Sequence, residues 1–136
     1  MKTPPSQIND LTYRIRGAAF KVHTQLGPGL IESVYETCLA YELAGMGLQV
    51  ERQKHLPVAY DGIYLDTGYR IDLLVNDAVI VELKAKKAIT DVDIAQLLTY
   101  LKLSDKRVGL LMNFNVAQMK DGIKRFVNSA NSSKAA

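Results

Sequence analysis

The sequence predicts an α/β sandwich, of the α+β kind, in which helices flank a mixed central sheet and the elements follow the order ααβββ(β)αβ. Three observations predict this class. Apolar residues near the N-terminus recur every three or four positions, and the middle of the chain is rich in β-branched and aromatic residues between turn signals. A further helical pattern then precedes a buried apolar run, and this order of elements is typical of a layered α/β domain.

Two helices are predicted at the start of the chain. Residues 8–26 form the first, because their apolar positions step by three and four, and the Gly-Pro-Gly segment 27–29 ends it sharply. The second runs from about residue 31 to 46 and ends at Gly47, a favourable residue after a helix C-terminus. Apolar side chains cover much of its circumference, which predicts a well-buried helix.

The middle of the chain predicts a meander of three or four antiparallel strands over residues 48–60, 63–65, 69–75 and 79–85. Turn signals such as Asp61-Gly62 separate these segments.

The last third of the chain predicts a helix and one or two strands. The helix covers about residues 91–103, and Thr90 and Asp93 stand before it at capping-box spacing. Residues 107–113 predict a buried strand, whereas residues 122–127 fit either a short strand or a helical turn.

Length and composition limit the class of protein. The 136 residues, 48% of them hydrophobic, suit one domain with a core that needs no disulfides, and a single cysteine excludes a cysteine-rich metal site. The net charge of +3 is too small to identify a nucleic-acid binder. We expect a flexible arm over residues 1–7, one domain over 8–127 and a disordered polar tail over 128–136.

The sequence also predicts a cytoplasmic protein that does not bind a membrane. No segment approaches the roughly 18 apolar residues of a membrane span, and the N-terminus lacks the apolar run of a secretory signal.

The hairpin formed by residues 69–85 is the most informative part of the chain. A three-residue loop over 76–78 would place Asp72 opposite Glu82. One face would then be apolar, and the other would carry the charged residues. The hydrophobic pattern selects this register over a two-residue loop, which would mix charged and apolar residues on both faces. The apolar face would consist of Ile71, Leu73, Val75, Val79, Val81 and Leu83, and the charged face would contain Arg70, Asp72, Glu82 and Lys84.

Two carboxylates opposed in this way repel each other, because their Cβ atoms lie about 4.5 to 5.5 Å apart. A shared proton, the nearby Lys84 or a bound divalent cation such as Mg²⁺ would relieve the repulsion. A Glu-x-Lys sequence on a strand is most often a surface ion pair. Here, however, the charged residues interrupt strands made of Val, Ile, Leu and Ala, and charges are rarely buried unless they are paired or bind a metal.

Asp72 followed by Glu82-Leu83-Lys84 after a short hairpin resembles the active-site signature of the PD-(D/E)xK nuclease superfamily. The segment 29–35, Gly-Leu-Ile-Glu-Ser-Val-Tyr, is similar to the motif that names the GxxExxY family of that superfamily, and His23 with the run 26–29 adds to the likeness. The segment 96–100 resembles the QxxxY element of several exonuclease branches. Ile71 stands where the superfamily name has proline.

The resemblance implies a restriction-endonuclease-like fold and a set of site residues. Glu32, Asp72, Glu82 and the Leu83 backbone carbonyl would hold Mg²⁺ or Mn²⁺. Lys84 would position the attacking water and stabilise charge on the phosphate. Gln96 would orient water or substrate, and four auxiliary residues would surround this centre: His23, Tyr35, Arg70 and Tyr100.

Several of these residues also have a purely structural interpretation. Tyr35 suits a core aromatic whose hydroxyl finds a partner, and His23 suits a structural hydrogen bond. Gln96 and Tyr100 lie one turn apart on one helix face, where packing explains them equally well. Basic residues after the site either contact phosphates or form a solvated face, and they are Lys86, Lys87, Lys120, Lys124 and Arg125.

The resulting hypothesis is a divalent-metal-dependent nuclease that hydrolyses phosphodiester bonds in nucleic acid, with DNA favoured. The alternative is a module on the same fold that binds nucleic acid without cutting it, or a subunit of a larger assembly. The chain has no recognisable targeting domain, so specificity would come from a partner protein, a second copy of the chain or the structure of the nucleic acid.

Overall fold

A computed structural model describes residues 3–128. Two helices come first, α1 (Pro5–Leu26) and α2 (Glu32–Gly45), followed by five strands and then a helix, α3 (Asp91–Ser104). The five strands are β1 (Val50–His55), β2 (Val58–Tyr60), β3 (Ile63–Leu65), β4 (Arg70–Val75) and β5 (Val79–Lys84). The chain then forms β6 (Val108–Asn113), a short 3₁₀ helix (Met119–Asp121) and β7 (Ile123–Val127).

Five strands form one mixed sheet in the order β1-β4-β5-β6-β7. All its pairs are antiparallel except β5 with β6, which α3 connects as a crossover. Helices α1 and α2 pack on one face of the sheet and α3 packs on the other. This arrangement confirms the predicted fold class.

The central strands β4, β5 and β6 are buried on both faces of the sheet, which explains their nearly continuous apolar sequence. Leu73, Val81 and Leu110 pack in the core with α1 and α2. Leu74, Ile80 and Leu111 pack in a second core against Leu97, Tyr100 and Leu101 of α3.

Helix α1 begins at Pro5, three residues before the start predicted from the apolar spacing. Proline is favourable in the first helical turn, where its missing N–H would have no intrahelical partner. Residues 5–7 of the predicted arm are therefore helical. Helix α2 is less buried than predicted, because Ile31 and Tyr41 are 69% and 77% exposed and the helix buries one face.

The predicted meander is wrong. The segment 48–60 breaks at Pro57, which has no N–H for a strand ladder. Strands β2 and β3 form a separate two-stranded sheet, and β1 pairs with β4 instead of its neighbour in sequence.

The C-terminal elements follow the sequence pattern more closely. Strand β6 is buried along its whole length, as predicted, and residues 123–127 form a strand, the first of the two alternatives. Asn128, at the start of the predicted tail, is buried and donates to the backbone carbonyls of Leu101 and Lys106. Residues 129–136 lie outside the described residues. Between residues 3 and 128 no helix is both long and apolar enough to cross a bilayer.

Helix α3 begins with the predicted capping box. The Thr90 hydroxyl accepts from the Asp93 N–H at 3.2 Å, and the Asp93 carboxylate accepts from the Thr90 N–H at 2.8 Å. Asp93 also accepts from Lys86 Nζ at 2.9 and 3.1 Å. The hydrogen bond from Lys86, with those from Thr90, lowers the pKa of Asp93 to about 2.

We expect Asp93→Asn to reduce the free energy of unfolding at pH 7 by about 1 to 2 kcal/mol, the usual contribution of a helix cap. The pKa of Asp93 is lower in the folded protein than its ordinary value of 3.8. The stabilisation that Asp93 gives the folded state is therefore complete at pH values above 3.8, and it is lost as the pH falls towards about 2. Urea unfolding should therefore show that the two proteins converge in stability between pH 4 and pH 2. A constant difference over that range would contradict this prediction, and Asp91→Asn in the same helical turn is the control.

Candidate active site

The β4–β5 hairpin has the predicted register. Residues 76–78 form the loop, and Val75 lies opposite Val79 and Leu73 opposite Val81. The same register places Asp72 opposite Glu82, but regular backbone pairing ends one residue earlier, at Leu73 and Val81. The two strands therefore separate at the carboxylate pair.

The predicted division of the hairpin into two faces is wrong at Ile71. This side chain packs with Leu74 and Ile80 in the core under α3, not with Leu73 on the α1–α2 side. A strict alternation would put residues 71 and 73 on one face, so β4 departs from regular geometry at Asp72. Both faces of β4 and β5 are also apolar, because the sheet is covered on both sides.

Asp72 and Glu82 bridge the separated strands with their side chains. The Asp72 N–H donates to Glu82 Oε1 at 3.1 Å, and the Leu83 N–H donates to Asp72 Oδ2 at 2.9 Å. Each carboxylate thus accepts from the backbone of the opposite strand, where a regular ladder would use a carbonyl oxygen. These bonds fix both side chains at the end of the ladder.

Glu82 is 3% exposed. Burial, then the negative charge of Asp72 and the hydrogen bond between the two side chains, raise the pKa of Glu82 to about 9. The positive charge of Lys84 acts in the opposite direction but is the weakest of these causes. Lys84 does not offset the repulsion between Asp72 and Glu82, so the pair favours a further positive charge, which is either a proton on Glu82 or a bound cation.

Glu32, the predicted third carboxylate, is the first residue of α2. Gly29 lies just before it with a φ of 99°, a conformation that favours glycine and turns the chain into the helix. Partial burial and then the charge of Asp72 raise the pKa of Glu32, while Lys84 lowers it. Glu32 is thus within electrostatic range of the carboxylate pair.

The donor set suits a hard divalent cation held by two carboxylates. Mg²⁺ commonly takes one or two protein carboxylates and completes its shell with water and phosphate oxygens. Asp72 and Glu82 supply this pair, and the repulsion between them is the physical reason that a cation would bind. Within residues 3–128 no three His, Cys, Asp or Glu side chains are grouped closely enough to hold a metal ion, so a ligand role for Glu32 stays a prediction.

Lys84 lies two residues after Glu82 and reaches α3. Its ammonium donates to Gln96 Oε1 at 3.2 Å, and Gln96 Nε2 donates to the Tyr100 hydroxyl at 3.2 Å. The Tyr100 ring lies 6.2 Å from that of Tyr69. Burial and the charge of Glu82 raise the pKa of Tyr100, which keeps its hydroxyl neutral. The structure thus brings Gln96 and Tyr100 to the predicted active-site lysine.

Tyr35 and His23 have structural contacts. The buried Tyr35 hydroxyl donates to the Gly27 carbonyl at 2.6 Å and accepts from the Leu30 N–H at 3.1 Å, so it holds the turn before α2 in place. His23 Nε2 lies 2.8 Å from the Val116 carbonyl oxygen. Tyr35 also stacks on Phe114, with ring centroids 4.6 Å apart.

The predicted basic residues do not form one surface. Lys86 is paired with Asp93. Lys124 and Arg125 are adjacent residues of β7, so their side chains point to opposite faces of the sheet. Lys87 and Lys120 are exposed. Arg70 is exposed too, and its side chain forms no hydrogen bond or ion pair with other residues in the described range 3–128.

The sequence did not predict four polar residues that support the site: Glu36, Arg52, Gln53 and Asn113. Asn113, buried at the end of β6, accepts from the Lys86 N–H at 3.2 Å and donates to the Lys86 carbonyl at 2.9 Å, which holds the segment after β5. Glu36 lies one turn after Glu32, and this spacing was a signal for its position. Nothing in the sequence pattern distinguishes the other three from ordinary surface residues.

Comparison with known proteins agrees with this geometry. A family model for the PD-(D/E)XK nuclease superfamily matches residues 9–126, a stretch that includes both carboxylates and Lys84. Searches of curated proteins and of solved structures found no match. The mixed sheet flanked by helices also agrees with the restriction-endonuclease-like fold. The chain therefore belongs to the PD-(D/E)XK nuclease superfamily.

Proposed function

We propose that the protein is a divalent-metal-dependent nuclease that hydrolyses phosphodiester bonds in nucleic acid, with DNA favoured over RNA. The observation that carries this proposal is the juxtaposition of Asp72 and Glu82 at the end of a strand ladder, with Lys84 two residues further along β5. Within the superfamily, the segment from Gly29 to Tyr35 supports a place in the GxxExxY group.

Each side chain has a distinct role in this proposal. Asp72 and Glu82, with the Leu83 carbonyl and Glu32, would hold Mg²⁺ or Mn²⁺, which acts as a Lewis acid and lowers the pKa of a bound water. Lys84 donates to a phosphate oxygen and stabilises the charge that develops on it. Gln96 accepts from the Lys84 ammonium and so limits its orientation.

A non-cleaving module that binds nucleic acid, alone or as a subunit of a larger assembly, is the second candidate. One observation favours it: in the part of the chain that the structure describes, no group of three potential ligands is ready to hold a metal. The combination of Asp72, Glu82 and Lys84 argues against it, because a module without catalysis gains nothing from a buried carboxylate beside a second, partly buried one.

The two candidates differ in a direct experiment. The protein is incubated with single-stranded, duplex and branched DNA and with RNA, in Mg²⁺, Mn²⁺ or EDTA. Cleavage that needs a divalent ion supports the nuclease, and the polymer that is cut tests the preference for DNA. An electrophoretic shift without cleavage in either metal would support the binding module.

We also propose a cytoplasmic protein whose specificity comes from a partner protein or a second copy of this chain. The small net charge of +3 and the dispersed basic residues support a need for additional contacts to nucleic acid.

A further inference from the structure

The pairing of β1 with β4 is interrupted opposite Asp72. Arg52 pairs with Leu73 and Lys54 pairs with Ile71, but no regular pair joins Gln53 to Asp72. Gln53 has a φ of 52°, in the left-handed region that side chains other than glycine rarely adopt. Such strain persists only where the surrounding structure compensates for it, and it is frequent at functional sites.

The side chain of Gln53 supplies that compensation. Its amide nitrogen lies 2.6 Å from Glu36 Oε1 and 3.1 Å from Asp72 Oδ1. An amide nitrogen has two hydrogens, so Gln53 donates to both carboxylates at once. A carboxylate on α2 and a carboxylate on β4 are thus joined through one neutral donor.

Glu36 fixes the direction of this amide. Glu36 is 7% exposed, and its other oxygen, Oε2, accepts from the Nε and an Nη of Arg52 at 3.2 and 3.1 Å. If the amide were reversed, its oxygen would face two carboxylates. Arg52 holds Glu36 in place through their ion pair, and Glu36 in turn keeps the amide nitrogen of Gln53 directed towards the two carboxylates.

We propose that Gln53 is a positioning residue for Asp72, and this inference rests on the proposed function. Asp72 is held on one side by Gln53, at Oδ1, and on the other by the Leu83 N–H, at Oδ2. These two bonds orient the carboxylate at the point where β4 and β5 separate. The left-handed backbone at residue 53 brings the amide within reach of Asp72.

Two substitutions of Gln53 distinguish the effect of its side-chain amide from the effect of its left-handed backbone. Gln53→Met keeps the length of the side chain and removes the donor, whereas Gln53→Gly removes the side chain and accepts the left-handed backbone without strain. Lys54→Met is the matched control on the same strand, because Lys54 is exposed and its ammonium pairs with Glu51 and not with Asp72 or Glu36.

The first readout needs no metal. Hydrogen exchange of the Leu83 amide, measured by NMR in EDTA, reports directly on its bond to Asp72. We expect exchange to be about tenfold faster in both Gln53 variants and unchanged in Lys54→Met. Leu83 protection equal to that of the wild type in both Gln53 variants would overturn the inference.

The second readout is the Mn²⁺ concentration that raises the melting temperature of each protein by the same fixed amount, because this concentration scales with the dissociation constant. Loss of a residue that orients a metal ligand typically costs about 10- to 100-fold in affinity, so this concentration should rise by at least about tenfold in both variants. A rise in Gln53→Met alone would assign the effect to the backbone and contradict the role of the amide. If the wild type shows no response to metal while Leu83 exchange changes as expected, the proposed metal site fails and the positioning of Asp72 by Gln53 stands.

Discussion

Lys84→Ala is expected to reduce metal-dependent cleavage by about a hundred- to a thousandfold, the usual cost of removing one group that stabilises developing charge in an active site. Lys84 follows Glu82 by two residues on β5, and its ammonium donates to Gln96 of α3. No other lysine of the predicted set has this position, because Lys86 is paired with Asp93. The loss is measured as the turnover rate on whichever nucleic acid the wild type cleaves among single-stranded, duplex and branched DNA and RNA.

The control for this variant is Lys87→Ala, which removes the same charge from an exposed residue three positions away. Unfolding curves should show that both variants fold as the wild type does. Cleavage by Lys84→Ala at a rate close to that of Lys87→Ala would remove the lysine from the mechanism.

Glu82→Gln is expected to abolish cleavage and, at the same time, to stabilise the metal-free protein at pH 8 by about 1 to 3 kcal/mol. Glutamine keeps an oxygen that accepts from the Asp72 N–H, and its amide hydrogens can donate to Asp72. Glu82, whose pKa in the folded protein is about 9, must instead take up a proton on folding at pH 8, and this uptake costs free energy. A gain in stability together with a loss of activity distinguishes this residue from an ordinary surface ion pair.

The pH dependence of stability provides a second check on Glu82. Its pKa in the folded protein, about 9, lies above its ordinary value of 4.5. Between these values the folded state retains a proton that the unfolded state has lost, so the free energy of unfolding falls as the pH rises. Urea unfolding in EDTA should show that the wild type is less stable at pH 8 than at pH 5, and that Glu82→Gln has a much smaller dependence. An equal dependence in both proteins would contradict this prediction.

The parts of the fold that depend on local pattern were predictable. The three-residue loop over 76–78 follows from the alternation of apolar residues in β4 and β5, because a shift by one residue would exchange the two faces. The capping box of Thr90 and Asp93 follows from residue type and spacing alone. The opposition of Asp72 and Glu82 is a direct result of that loop.

The remaining features depend on contacts between segments distant in sequence. The pairing of β1 with β4 and the separate β2–β3 sheet leave no signal in local periodicity. The displacement of Ile71 to the α3 side accompanies the irregular backbone at Gln53, on another strand. A glutamine at a left-handed position cannot be recognised from sequence, because that conformation depends on contacts with Glu36 of α2 and Asp72 of β4, which lie in other parts of the fold.

The central claim is that Asp72 and Glu82 share one divalent cation. Calorimetric titration of metal-free protein with Mn²⁺ tests it most directly, with the wild type compared with Asp72→Asn. Asparagine preserves the size of the side chain and removes the charge that the cation would neutralise. We expect one Mn²⁺ per chain in the wild type and a loss of at least about tenfold in affinity in Asp72→Asn. Equal binding by the two proteins, or no binding by the wild type, would contradict the shared metal site.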